Sequence, residues 1–323
     1  MRLFDEARYD FLRFWRPAVL ITALFVVPGF VLLLTRGLDF SIEFTGGTFM
    51  QVTAMNESMT TERIRSALSA AGLGGAEIQT FGSSGREFAI RARLDPRQDV
   101  SEEVTEQTGA TVDSVLTAAF GAGGFEIART EAVGPKVGSE LRDRAMLAVV
   151  LSLGATFLVL WFRYEWRFGL AAVIATIHDV LATIAFIAYV NLEVSLVVVA
   201  AVLLIIGYSL NDTIVTFDRV RENIRRFKRE DLYHLLNRSV NETLPRTVLT
   251  SGTTLGATLA LLALGGPVIS GFALVVTFGL VTGTFSSIYI AAPVLRLIEM
   301  RWPGEDARGT RAITKPAPAT VAP

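Results

Sequence analysis

Three groups of polar residues interrupt otherwise apolar stretches of this sequence: His178-Asp179, Asn211-Asp212, and Arg246 with Thr247, Ser251, Thr254 and Thr258 following at helical spacing. An ionisable side chain at the centre of a hydrophobic helix costs about 3 kcal/mol on insertion scales, so each group is a candidate for function. A carboxylate and a guanidinium inside apolar helices suit the uptake and release of a proton. Burial disfavours the charged carboxylate and a nearby Arg favours it, so a rearrangement that separates the two switches the carboxyl between loaded and empty. A membrane potential supplies about 2.3 kcal/mol per charge per 100 mV, enough to bias such a switch. The structural alternative stays open. Hydroxyls can bond their own helix carbonyls, a buried Asp–Arg pair can serve packing alone, Arg246 can snorkel to headgroups, and His178 can simply bond a neighbouring helix.

The elements that must hold these residues are membrane spans. The chain has 323 residues, is 51% hydrophobic and 19% charged, and has a mean hydropathy of +0.46, a balance that argues against a wholly soluble protein. Crossing about 30 Å of hydrocarbon takes roughly 18 or more apolar residues. Six stretches qualify, at approximately 17–35, 145–162, 168–190, 194–217, 244–264 and 272–295. Asp212 and Arg246 then lie about 9–12 Å from the middle of their spans at 1.5 Å per residue, both toward the same side. At matching depth on antiparallel helices they are expected to meet as an ion pair, with Ser209, Asn211, Thr213, Thr247, Ser251 and Thr254 as polar lining.

Lys and Arg set the expected orientation. Residues 1–16, the "RYEWR" turn, the basic segment 218–243 and the tail 296–323 are Arg-rich, whereas the "NLE" and "GGPVISG" turns have neither Lys nor Arg. Both termini are therefore expected in the cytoplasm, and 36–144 outside. The first span follows Arg8, Arg13 and Arg16 and lacks an A-x-A cleavage pattern, so it reads as a retained anchor.

The 36–144 segment has strand and helix patterns in the order β-α-β-β-α-β. "TFMQVTAM" alternates, "TTERIRSALSAAGLGG" places Ile64, Leu68 and Ala71 on one helical face, and "AEIQTFG" and "REFAIRARL" form a hairpin across "SSG". A second helix opens at Ser101 with acidic residues in its first turn, and "FEIARTEAV" is a last strand. The expected fold is thus a six-helix membrane bundle with an inserted α+β, ferredoxin-like periplasmic domain.

Other classes are disfavoured. The absence of Cys removes disulfides, thiol catalysis and Cys-held metals, and a net charge of −1 gives no sign of a nucleic-acid partner. "FTGG" lacks the Gly-Lys-Ser/Thr of a phosphate loop. No metal or other cofactor is expected. The basic run "RVRENIRRFKRE" suits a solvated inside loop, with anionic lipid or a partner as the alternative, and the Pro/Ala-rich 309–323 tail is expected to be disordered.

Motifs along the chain carry a resemblance. "LDFSIEFTGGT", "VGPKVGSEL", "FRYEWRFG", the "HD" pair, "GYSLNDTIVTFDRVREN", "RTVLTSGTTL", "GGPVISGF" and "GTFSSIYIA" together resemble SecF, the smaller branch of the bacterial SecD/SecF protein-export family, over about 15–300. The resemblance implies an inner-membrane, non-enzymatic translocase subunit that works with SecD. Using the proton-motive force, the pair would promote passage of preproteins through the SecYEG channel, alongside SecA, YajC and YidC. It implies proton-pathway roles for Asp212 and Arg246, with His178 and Asp179 matching a further family pair. Half of a proton-driven solute exporter of the resistance-nodulation-division type is the alternative function, and a scaffold the third. Glu43 stands where the family carries Asp, so no fixed contact at that carboxylate carries over from the resemblance.

Overall fold

The computed structural model describes residues 8–81, 85–92 and 102–303. The first helical turns, Phe11–Phe14 in 3-10 geometry, lead into α1 (Trp15–Arg36). A mixed helix and strand segment follows: α2 (Ile42–Thr45), β1 (Gly47–Ala54), α3 (Thr61–Ala70), β2 (Glu77–Phe81), β3 (Glu87–Ala92), α4 (Glu102–Phe120) and β4 (Phe125–Val133). The remainder is helical: α5 (Pro135–Arg163), α6 (Trp166–Val190), α7 (Leu196–Arg226), α8 (Leu232–Leu264), α9 (Pro267–Ser286), a π-helical segment (Ser287–Ala291) and α10 (Ala292–Arg301). Among the described residues six helical stretches are long and apolar enough to cross a membrane. The expected hairpin turn at 83–85, Ser101 and the 309–323 tail fall wholly or partly outside the described residues.

The chain divides into two compact units, a sheet unit (Leu38–Ala148 with Glu193–Val199) and a helical unit (Met1–Gly37, Val149–Leu192 and Ala200–Pro323). In the sheet unit the strands run β2-β3-β1-β4, antiparallel throughout, which is the ferredoxin-like order. Alternation along β1 turns Met50, Val52 and Ala54 inward, where they meet Ile64 and Leu68 of α3 and Val112 and Leu116 of α4. Ala71, expected on that helical face, is exposed instead. It is the C-cap residue of α3, where the helix winds out of register with its buried stripe. Gly46 (φ 76°) and Gly47 (φ 133°) have backbone angles that other residues rarely adopt, and they turn the chain from α2 into β1. A Cβ at Gly138 would lie 2.9 Å from the Gly46 nitrogen, so the start of α5 packs directly on that turn.

In the helical unit α6 packs through small residues. Ala171, Ala172, Ala175, Ala182 and Ala185 are buried along it, and a Cβ on Gly29 of α1 would stand 2.5 Å from the Ala185 Cβ. Helices without a hydrophobic driving force between them approach most closely over such residues. The basic segment 218–243, expected as a loop, is mostly helical: α7 continues to Arg226 and α8 starts at Leu232. Opposite charges explain this, since Arg219 bonds both Glu222 of its own helix and Glu242 of α8 at 2.6 Å. The N-terminal residues are strapped to α8. Asn241 exchanges two hydrogen bonds with the Tyr9 backbone (2.9 and 2.8 Å), and Asn237 accepts from the Leu12 N–H at 3.0 Å.

Candidate functional site

Asp179 lies near the middle of α6 and is fully buried. A lone carboxylate there would be costly, and its lone pairs are accordingly met. Ser209 of α7 donates to Oδ2, Ser286 of α9 donates to the same oxygen at 2.7 Å, and His178 Nδ1 stands 2.9 Å from Oδ1. These contacts require α9 to lie close against α7, and its sequence permits it. A Cβ on Gly279 would fall 2.2 Å from Ile205 Cδ1, and one on Gly283 would fall 3.1 Å from Ser209 Cβ. Gly279 and Gly283, one turn apart, form a small-residue groove that seats α7.

Asp212 follows Ser209 by three residues on α7, on a neighbouring face of the helix, and is also buried. Ser251 of α8 donates to its Oδ2 at 3.1 Å, and Thr284 of α9 donates to the Ser251 hydroxyl at 2.9 Å. Asp179 is thus held by hydroxyls from two other helices and an imidazole, whereas Asp212 is reached from another helix by one hydroxyl. Thr284 and Ser286, two residues apart on α9, connect the two carboxylate neighbourhoods through a belt of hydroxyls.

The expected ion pair between Asp212 and Arg246 is not formed. Arg246 acts on Asp212 through the Coulomb field, but no ion pair within 4 Å joins them, and the guanidinium side chain is exposed. The cause is helix register: Asp212 is level with Ser251, about 7.5 Å further along α8 than Arg246 at 1.5 Å per residue. Counting from the middle of hydrophobic runs misses that offset, because both helices continue as charged, helical extensions beyond them. Of the other lining residues, Thr213 and Thr247 are buried, Asn211 is exposed and Thr254 accepts from the Tyr208 hydroxyl at 3.2 Å. Thr258 bonds its own backbone.

Sequence reasoning missed Ser286, Thr284 and Tyr208 as members of this belt. The signal available was the hydroxyl-rich "GTFSSIY" inside an apolar span, read only as part of a motif. It also missed the lower α7–α8 contacts, where Asn223 donates to Ser239 at 3.0 Å and to Glu242 at 2.7 Å, and the Arg167–Glu299 ion pair at 2.8 Å. Among the described residues no three His, Asp or Glu side chains converge as a metal set.

Comparisons with known proteins agree with this architecture. The family model "Protein export membrane protein SecD/SecF, C-terminal" matches residues 112–301, and the "SecD/SecF GG Motif" matches residues 31–54. The chain is similar to the protein translocase subunit SecF of Gemmatimonas aurantiaca, at 50% identity over 99% of this chain and 96% of the relative. It is 42% identical to that of Desulfurispirillum indicum, over 88% of this chain and 90% of the relative. Among solved structures it resembles SecDF, a translocon-associated membrane protein from Thermus thermophilus, with a TM-score of 0.80 and 35% identity. That match covers 93% of this chain and 40% of the SecDF chain.

Proposed function

The chain belongs to the SecD/SecF family of protein-export membrane proteins, as a SecF-type subunit of the Sec machinery, and from this we propose that Asp212 takes up and releases a proton in each export cycle. The observation that carries the reading is the contrast between the two buried carboxylates. Asp179 is bonded by three side chains, whereas Asp212 sits on a single hydroxyl of a neighbouring helix, beside its own Asn211 and within the field of an unpaired Arg246. A carboxyl held this loosely changes charge with a small shift of α8 against α7. Asp179 with His178, Ser209 and Ser286 then acts as the fixed partner of the relay.

The chain is integral to the membrane and associates with SecD. The SecD contact lies on the face where Asn211 and Arg246 are exposed. Facing hydrocarbon, those groups would cost several kcal/mol, and a partner with polar groups at that depth removes the cost. SecD then completes the proton route, and the proton-motive force drives late movement of preproteins through SecYEG, with SecA, YajC and YidC at the same machinery. The Lys and Arg distribution supports an orientation with both termini in the cytoplasm and residues 36–144 in the periplasm, for a protein of the inner membrane.

The test compares wild type with Asp212→Asn and Arg246→Met in membrane vesicles containing SecD and the channel. Both variants are expected to lose gradient-dependent late translocation while retaining SecD. Translocation at the wild-type rate by folded Asp212→Asn would overturn the reading.

A further inference from the structure

A helix N-terminus leaves several N–H groups without an intrahelical partner, and a residue just before the helix ordinarily caps them. In α7 this duty is shared with a distant residue. Ser195 accepts from the Val198 N–H at 3.3 Å, but the Leu196 N–H donates to Glu43 Oε2 at 2.6 Å, across 153 residues of sequence. The Ser41 hydroxyl donates to the same carboxylate oxygen at 3.3 Å, fixing its direction. A carboxylate at this end also meets the positive pole of the helix dipole.

Three further contacts hold residues 193–194 within the sheet unit, two of them to the 39–41 segment and one to β3. The Ser41 N–H donates to the Val194 carbonyl at 3.0 Å and the Val194 N–H donates to the Asp39 carbonyl at 2.7 Å, making a parallel bridge between Phe40 and Val194. Arg91 of β3, its side chain only 8% exposed, forms an ion pair with Glu193. Arg91 is the buried member of this pair and Glu193 its partly exposed one. The turn at Gly46, seated on Gly138, holds α2 and with it Glu43.

We infer that residues 39–47 form a rigid joint that fixes the first turn of α7, within the sheet unit, with Glu43 as its positioning residue. Asp212 lies about 24 Å along α7 from Leu196 at 1.5 Å per residue. The functional meaning rests on the proton reading of Asp212 given above; the joint itself does not.

The chain has no Cys, so a Phe40→Cys/Val194→Cys pair in the full chain with SecD can form one intramolecular disulfide. A joint that stays closed through the cycle predicts unchanged gradient-dependent translocation after oxidation. Loss of translocation on oxidation, reversed by reductant, would overturn it. In parallel, Glu43→Ala is expected to speed amide exchange at Leu196 and Val198 about fivefold and to lower gradient-dependent translocation. Glu43→Gln keeps an acceptor oxygen and is expected to restore most of both. Unchanged exchange in Glu43→Ala would show that the joint does not exist. Asp212→Asn separates the two ideas: it is expected to abolish the gradient response with α7 exchange unaltered. If it retains the response, the proton reading fails while the disulfide and exchange results still decide the joint.

Discussion

The hydroxyl of Ser286 donates a 2.7 Å hydrogen bond to the carboxylate of Asp179, tying α9 to the centre of α6. Ser209 of α7 donates to the same oxygen, so three helices converge on one acceptor. The carboxylate is tolerated at full burial because these donors replace its water.

Removing one donor therefore exposes part of that cost. Ser286→Ala is expected to destabilise the detergent-solubilised protein by about 1–3 kcal/mol, the usual range when a buried acceptor loses a partner. A Ser209→Ala/Ser286→Ala double variant should depart from additivity, since both donors share one oxygen. Thermal unfolding of the single and double variants, read against Asp179→Asn, checks this.

The seat of α9 on α7 gives a steric prediction. Gly279→Val has its Cβ in the space of Ile205, a buried side chain, and is expected to cost about 1–3 kcal/mol or to displace α9. Gly283→Ala meets Ser209 at 3.1 Å and should be milder in stability, yet it pushes Ser209 from Asp179. Unfolding midpoints should fall more for the first, while gradient-driven translocation falls in both.

Ser251 links Asp212 to Thr284. Ser251→Ala is expected to lower gradient-dependent translocation severalfold without abolishing it, and Ser251→Thr to keep most of it, whereas Asp212→Asn removes it. Equal activity of Ser251→Ala and wild type in vesicles would assign the hydroxyl to packing alone.

The N-terminal strap should respond to pH. Asp10 precedes the first span, and the Tyr233 hydroxyl foremost, then the Asn237 amide, hold its carboxyl below the ordinary carboxylate range. A group whose folded value is lowered contributes stability above its unfolded value and loses it as pH falls through the folded one. The protection of the Leu12 amide, its exchange relative to an unstructured chain at the same pH, is therefore expected to fall below about pH 4, and Asp10→Asn to abolish that fall. Protection that is flat with pH in the wild type would sink the prediction.

Much of this was legible from residue pattern, and the failures have a common cause. Strand alternation at Met50, Val52 and Ala54 and the helical stripe of Ile64 and Leu68 report burial directly, so the sheet domain could be read. The polar residues Asp179, Asp212 and Ser251 announced themselves against apolar neighbours. Register between helices did not, because hydropathy marks where a helix enters the apolar layer but not which residues stand level across it. Hydropathy therefore sets Arg246 level with Asp212, whereas the helices bring Ser251 there. The helical extension of α7 and α8 through 218–243 was hidden by its charge, which suits a loop as well as an ion-paired helix pair.

The π-helical segment Ser287–Ala291 separates Ser286, which faces Asp179, from Glu299 of α10, which pairs with Arg167. A π turn carries one more residue than an α turn, and each residue turns a helix by about 100°. The segment is thus a one-residue phase slip, and both contacts depend on it. Winding the same residues as regular α-helix would swing everything after them by roughly 100°, because the π segment fits one more residue into the same travel around the axis. Sequences that keep the hydroxyl and the glutamate must therefore keep the extra residue and the π turn together or lose both together, a constraint on length where residue identity is free to vary.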